Sequence, residues 1–204
     1  MFTGLIEQIS KVENIVVTSN GAKITFYTNF DDIKKGDSIA VNGVCLSIAE
    51  INGNKLSADI MKETLNLTNL KNLKSGNIIN LERAMSVNSR FQGHIVSGHI
   101  DTIATVKNIV QDGFAIRMRF SCITDLIVKK GSVAINGVSL TVTEVNDSSF
   151  EVSLIPETIK NTNLSNLKID DTVNIEYDIL AKYIQKFTKP KKDITLEFLK
   201  ENGF

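Results

Sequence analysis

The chain has little of several things. Among its 204 residues there are two cysteines, two histidines and two prolines, and the formal charge is zero. Cys45 and Cys122 lie far apart, so they make neither a disulfide framework nor a zinc site. His94 and His99 have no partner cluster and make no case for a metal. Balanced charge, with no long run of one sign, argues against a nucleic-acid footprint or a polybasic anchor. No apolar run reaches the length of a bilayer span. The opening MFTGLIEQIS lacks the charged head and apolar stretch of a signal peptide. The expectation is a cytoplasmic protein with no membrane and no nucleic-acid partner. There is no GxGxxG, which excludes a dinucleotide fold of its own. An apolar fraction of 42% suffices for packed cores and is too high for disorder.

What is present is one sentence written twice. Aligned so that TGLIE (Thr3 to Glu7) falls on SGHID (Ser97 to Asp101), the chain matches itself without a gap. NGVCLSIAEIN falls on NGVSLTVTEVN, MKETLNLTNLKNL on IPETIKNTNLSNL, and INLE on VNIE. About a third of aligned positions are identical, and two copies of so long a unit make tandem domains, not a solenoid. The expected division is residues 1–88, residues 89–178, and a tail of residues 179–204, with NSRFQG as the linker.

Each copy reads as β. Asn52-Gly53 sits between two strand-like runs, the hairpin signal, and Asn42-Gly43 and Asn136-Gly137 mark a turn before the central strand. Proline is almost absent inside the strands. Short runs at regular spacing suit a small barrel. KETLNLTNL and PETIKNTNL each open a short helical turn. In the tail, Ile179, Leu180, Tyr183, Ile184 and Phe187 fall on one helical stripe, which packs on its own barrel or bundles with copies from other subunits. After Pro190, DITLEFLKENGF reads as a last short helix with Asp193 as its cap.

Alternation along the repeated strand puts Leu46 and Ile48 on one face and Cys45, Ser47 and Ala49 on the other. The second copy puts Leu140 and Val142 inward, and Ser139, Thr141 and Thr143 outward. Each barrel therefore has a row of small polar groups starting just after an Asn-Gly turn, where backbone amides are expected to be open. Such a row suits a flat ligand with ring carbonyls and nitrogens; solvated strand residues are the plain alternative.

The motifs MFTGLIE, NGVCLS, MKETL..TNL, GHIVSGHID, NGVSLTV and LIPET, in this order, resemble the riboflavin synthase α-chain family over nearly the whole chain. The resemblance implies two tandem six-stranded Greek-key β-barrels, all-β apart from a C-terminal α-helix that joins a homotrimer. It implies a cofactor-free transferase in which two molecules of 6,7-dimethyl-8-ribityllumazine exchange a four-carbon unit, giving riboflavin and 5-amino-6-ribitylaminouracil. Two pockets for one ring system would explain the duplication, with the first barrel of one subunit facing the second barrel of its neighbour. Association with lumazine synthase is a further implied partner.

Carried over residue by residue, Gly4, Leu5 and Ile6 would line the first pocket with Cys45, Leu46 and Ser47. Asp59, Ile60, Met61, Lys62, Glu63 and Thr64 would complete it. Gly98, His99 and Ile100 would line the second with Ser139, Leu140 and Thr141. Leu154, Ile155, Pro156, Glu157 and Thr158 would complete that one, and Lys130 would reach across from a partner subunit. The candidate catalytic set is Cys45, Ser38, His99, Ser139, Asp178 and Phe2. Cys45 is a nucleophile, a non-covalent pocket group or a packing residue. His99 stands where the first copy has Leu5 and could move a proton; His94 is the weaker candidate and Cys122 a core residue. Phe2 covers a bound ring or plugs the fold. Asp178 tunes proton transfer or caps the tail helix. Ser47 replaces the threonine usual after CL in the family. The competing readings are a non-catalytic lumazine-binding antenna protein, a flavin-binding module, and a purely structural trimer.

Overall fold

The computed structural model describes residues 1–188, with Lys200 and Gly203 beyond them. It contains two closed six-stranded antiparallel barrels and a C-terminal helix. Barrel 1 is built from β1 (Gln8–Thr18), β2 (Gly21–Tyr27), β3 (Ser38–Val41), β4 (Val44–Asn52), β5 (Lys55–Met61) and β6 (Ile78–Arg83). Barrel 2 is built from β7 (Thr102–Asp112), β8 (Ala115–Ser121), β9 (Ser132–Ile135), β10 (Val138–Asn146), β11 (Ser149–Leu154) and β12 (Thr172–Tyr177). Around barrel 1 the order is β1-β2-β5-β4-β3-β6, and barrel 2 repeats it. This is a Greek-key order closed into a ring.

The expected local signals act where the sequence puts them. Asn42 and Gly43, both at positive φ, turn β3 into β4, and Asn136 and Gly137 do the same in barrel 2. Along β4, Val44, Leu46 and Ile48 are buried while Cys45 and Ser47 face out; β10 repeats the pattern with Val138, Leu140 and Val142. Each barrel carries irregularities at equivalent places, between Val12 and Asn14 and between Ile48 and Glu50 in the first, and between Val106 and Asn108 and between Val142 and Glu144 in the second. Bulges bend strands, as a small barrel requires. The cores are aliphatic with a few phenylalanines: Ile24, Phe26, Leu56 and Leu81 in barrel 1, and Met118, Phe120, Phe150 and Ile175 in barrel 2. Each such side chain contributes about 1.5–3 kcal/mol by leaving water. The expected helical turns are α1 (Lys62–Leu67) and α2 (Pro156–Asn161).

The barrels meet across a pseudo-two-fold axis. A Cβ on Gly43 would lie 2.6 Å from the Gly137 amide nitrogen, and one on Gly137 would lie 2.8 Å from that of Gly43. Only glycine allows the two turns to stack back to back. Beside them lies a buried asparagine lattice. Asn80 Nδ2 donates to the Asn136 carbonyl at 3.0 Å and Asn174 Nδ2 to the Asn42 carbonyl at 2.9 Å. The Asn163 amide donates to Asn80 Oδ1, and the Asn69 amide to Asn174 Oδ1, both at 2.7 Å. Such bonds fix one relative placement of the barrels, because any shift strands a buried polar group.

The tail helix α3 (Ile179–Thr188) is amphipathic and buries no residue in the single chain. Leu180, Tyr183, Ile184 and Phe187 are all exposed in the single chain, and Leu180 and Ile184 line a hollow shared with Leu126, Val128 and Ser132 of barrel 2. Asp178 Oδ1 accepts from the Leu180 amide at 3.0 Å, the geometry of a helix cap. The short helix expected after Pro190, with Asp193, lies outside the described residues. No helix among the described residues is long and apolar enough to cross a membrane.

Candidate active site

The last paired residues toward the β4 start are Ile48 and Ala58, and those of barrel 2 are Val142 and Val152. Beyond them no ladder pair joins the two strands. Residues 45–47 and 59–64 become the two lips of a gap in barrel 1, and residues 139–141 and 154–158 those of a gap in barrel 2. Ser47, Asp59, Met61, Lys62 and Glu63 are exposed and Thr64 half-buried; Thr141, Ile155, Pro156 and Glu157 are exposed and Thr158 half-buried. Leu46, Ile60, Leu140 and Leu154 point into the cores instead. For Leu46 and Leu140 this is the inward face that alternation along β4 and β10 predicts.

The third wall of each gap comes from the other half of the chain. The Ser139 amide donates to the Gly4 carbonyl at 2.8 Å, and the Cys45 amide donates to the Gly98 carbonyl at 2.9 Å. Ile6 packs against the core of barrel 2, and Ile100 against the core of barrel 1. The sequence reading paired Gly4, Leu5 and Ile6 with Cys45, and Gly98, His99 and Ile100 with Ser139. The structure exchanges them. The physical reason is the bridge between Phe2 and Val96, which draws the segments preceding the two barrels together, each crossing to the opposite barrel. The same contacts correct a second expectation: the Cys45 and Ser139 amides are not open but taken by these carbonyls.

Gly4 and Gly98 both sit at positive φ, 78° and 83°, and are tightly enclosed. A Cβ on Gly4 would stand 2.6 Å from Ser139 Cβ, and one on Gly98 would stand 2.5 Å from Cys45 Cβ. Two buried carboxylates hold these loops. Glu82 accepts from the Thr3 amide at 2.6 Å, from Thr3 Oγ1 at 2.9 Å and from the Gly4 amide at 3.1 Å. Glu176 accepts from the Ser97 amide at 2.6 Å, from Ser97 Oγ at 2.7 Å and from the Gly98 amide at 2.9 Å. Burial pushes the Glu82 carboxyl above its ordinary value, and the bonds from Thr3 and Gly4 pull it back. Neither glutamate drew notice in the sequence, although the repeated NLE and NIE placed both in register.

The two gaps differ in their polar groups. Cys45 is half-buried and packs against the cluster of Phe2, Ala40, Val96 and Ala134 between the barrels. Phe2 is fully buried there, in the plug position, and does not present its ring to a ligand. Ser139, the counterpart of Cys45, shares a 2.7 Å hydrogen bond between its Oγ and His94 Nδ1. His94 is buried and its Nε2 has no partner among the described residues. Burial lowers its pKa below the ordinary 6.5, against the pull of the Asp178 and Glu176 carboxylates, so the ring is neutral at neutral pH. The weaker histidine candidate is thus the one bonded to a pocket hydroxyl. His99, the favoured one, is exposed and stands next to Gly98 on the Cys45 side.

Ser38 pairs with Ser47 across β3 and β4, close to Cys45, and Ser132 pairs with Thr141 in barrel 2. Lys130 is exposed, at positive φ, on the loop before β9. Cys122 packs against the core of barrel 2 with its Sγ 3.5 Å from Tyr177 Oη, and burial raises its thiol pKa. Among the described residues no group of three or more His, Cys, Asp or Glu could hold a metal ion.

The model of the lumazine binding domain matches the chain twice, over residues 3–84 and 97–178. The riboflavin synthase of Actinobacillus pleuropneumoniae is 45% identical over 220 residues, covering all of both chains. That of Bacillus subtilis (strain 168) is 39% identical over 215 residues, again covering both chains fully. Among solved structures, LumP complexed with 6,7-dimethyl-8-(1'-D-ribityl) lumazine superposes with a TM-score of 0.80 at 25% identity. The match covers 86% of this chain and 98% of LumP. LumP complexed with riboflavin gives a TM-score of 0.81 at 26% identity.

Proposed function

The chain belongs to the riboflavin synthase family, and from that premise we propose that its two gaps each hold one 6,7-dimethyl-8-ribityllumazine. A four-carbon unit passes from one molecule to the other, leaving riboflavin and 5-amino-6-ribitylaminouracil. The observation that carries this reading is the matched pair of gaps with unlike polar groups at one equivalent position, Cys45 in barrel 1 and Ser139 in barrel 2. Matching walls suit two copies of one ring system. Unlike groups suit a reaction in which the copies do different things.

One molecule must lose a proton from its C7 methyl group, whose carbanion is delocalised into the ring. The other must be open to attack at C7. In barrel 2, neutral His94 holds the Ser139 hydroxyl through Nδ1, a pair able to take up and pass on a proton. In barrel 1, the Cys45 thiol offers a more polarisable group, as a nucleophile or a hydrogen-bonding one. His99 stands beside it with Thr64 on the opposite lip, and Ser38 and Asp178 tune proton movement from the adjoining strand end and helix cap. Reaction requires two rings face to face. The exposed stripe of α3 supports a homotrimer in which barrel 1 of one subunit meets barrel 2 of the next, with Lys130 reaching across. A cytoplasmic location and association with lumazine synthase complete the reading.

A second reading is favoured by the LumP complexes, which show this fold holding lumazine and riboflavin: an antenna protein that binds without turnover. Incubating the purified protein with the lumazine alone separates the two. Formation of riboflavin without added cofactor supports the synthase. Binding seen by fluorescence with no riboflavin formed overturns it in favour of the antenna.

A further inference from the structure

We propose that Glu82 and Glu176 are positioning residues that act across the barrel boundary, each setting a wall of the pocket in the barrel to which it does not belong. The inference rests on the reading of the two gaps as the substrate sites. Glu82 is rooted in β6 of barrel 1, yet the loop it grips delivers the Gly4 carbonyl to the Ser139 amide of barrel 2. Glu176 is rooted in β12 of barrel 2, and the loop it grips delivers the Gly98 carbonyl to the Cys45 amide of barrel 1.

The chemistry of the grip is specific to a carboxylate. Glu82 and Glu176 are 3% and 1% exposed, and among the described residues neither is paired with a cation. Each is compensated by two backbone amides and one hydroxyl. Both oxygens therefore accept, and a buried carboxylate held this way fixes the donors as firmly as the donors fix it. The hydroxyl ties in the next residue: Thr3 Oγ1 accepts from the Leu5 amide and Ser97 Oγ from the His99 amide, both at 3.3 Å. So each glutamate orients three consecutive residues, the last of them Leu5 in one half and His99 in the other. A glutamine of the same shape would keep one accepting oxygen and turn an NH2 toward an amide N–H. The glycine would then be released with little change in volume.

The test uses the full-length protein and its two cysteines. With [15N]cysteine the amide spectrum holds two signals, Cys45 in barrel 1 and Cys122 at the end of β8 in barrel 2. Glu176→Gln is expected to move the Cys45 signal and leave Cys122, in its own barrel, in place. Glu82→Gln is expected to leave both in place and to move the Ser139 amide in a [15N]serine spectrum. Each variant is expected to lose about tenfold to a hundredfold in kcat, the effect of misplacing a reacting group by about an ångström. Should Glu176→Gln fail to fold, Ser97→Ala removes one donor and makes the same prediction for Cys45. An unmoved Cys45 signal in Glu176→Gln, or one moved equally by Glu82→Gln, overturns the proposal. If the wild-type protein forms no riboflavin, the reading of the gaps falls while the spectra still decide the cross-barrel grip.

Discussion

Replacing Gly98 by alanine separates the cost of a strained backbone from the cost of a displaced wall. Two glycines with similar backbones make the comparison. Gly53 sits at φ 60° in the β4–β5 hairpin, with nothing within 4 Å of an added Cβ. Gly98 sits at φ 83°, with Cys45 Cβ at 2.5 Å, the Cys45 amide nitrogen at 2.9 Å and the Phe2 ring at 3.0 Å. Alanine in the left-handed region costs about 1–2 kcal/mol at either place. At Gly98 the Cβ must also push the loop from β4, because backbone and a fully buried ring cannot yield. The Cys45 amide then loses its acceptor in a buried site, which costs about another 1–3 kcal/mol. Gly98→Ala is expected to be less stable than Gly53→Ala by that second amount. Urea unfolding of both variants at one protein concentration measures the difference, since the midpoint of any chain that self-associates shifts with concentration. Titration with the lumazine, followed by fluorescence, should show binding lost in Gly98→Ala and kept in Gly53→Ala. Equal midpoints together with equal binding would refute the claim that the crossing loop is a fixed wall.

Two further outcomes follow from the titrating group and from the tail. His94 is held neutral by burial, so between its depressed native value and its ordinary 6.5 the unfolded chain binds a proton that the native one refuses. Its share of stability is complete above pH 6.5 and is lost as pH falls below it; His94→Asn should flatten that part of a stability–pH curve, and an unchanged slope would remove His94 as its source. In the tail, Phe187→Asp places a charge on the exposed stripe of α3; sedimentation should show a trimer in the wild type and smaller species in the variant, and a variant that sediments like the wild type would exclude the stripe as an assembly surface.

Much of the frame was legible because the repeat repeats its physics. Asn-Gly turns, alternation along β4 and β10, and the short helices after β5 and β11 are local signals, and the structure places all of them where the sequence points. The stripe on α3 was legible as a helix, and its apolar side chains stay exposed in the single chain. The site was legible in composition but not in connection. Residues 4–6 and 98–100 carry no local mark of which barrel they will touch, since that depends on the Phe2–Val96 bridge between distant segments. Glu82 and Glu176 were unreadable for a related reason. A charged residue in a strand normally signals a solvated face, and only the tertiary contact reveals donors arriving from across the boundary. His94 has no counterpart in the first copy, so the comparison that raised His99 could say nothing about it.

The positions divide by what they hold. Gly4 and Gly98, Asn42 and Asn136, Glu82 and Glu176, and Asn80 and Asn174 are identical between the halves, and each touches or positions both barrels. A change at any one of them disturbs a wall or a lattice that serves the other half as well. Cys45 and Ser139, and Leu5 and His99, are unlike. Their side chains can differ without moving the frame, because the contacts that bind their segments to the opposite barrel are made by backbone amides and carbonyls. A main-chain join tolerates any side chain that fits the space. That is how two copies of one fold can keep the same walls and put a thiol in one gap and an imidazole-bonded hydroxyl in the other.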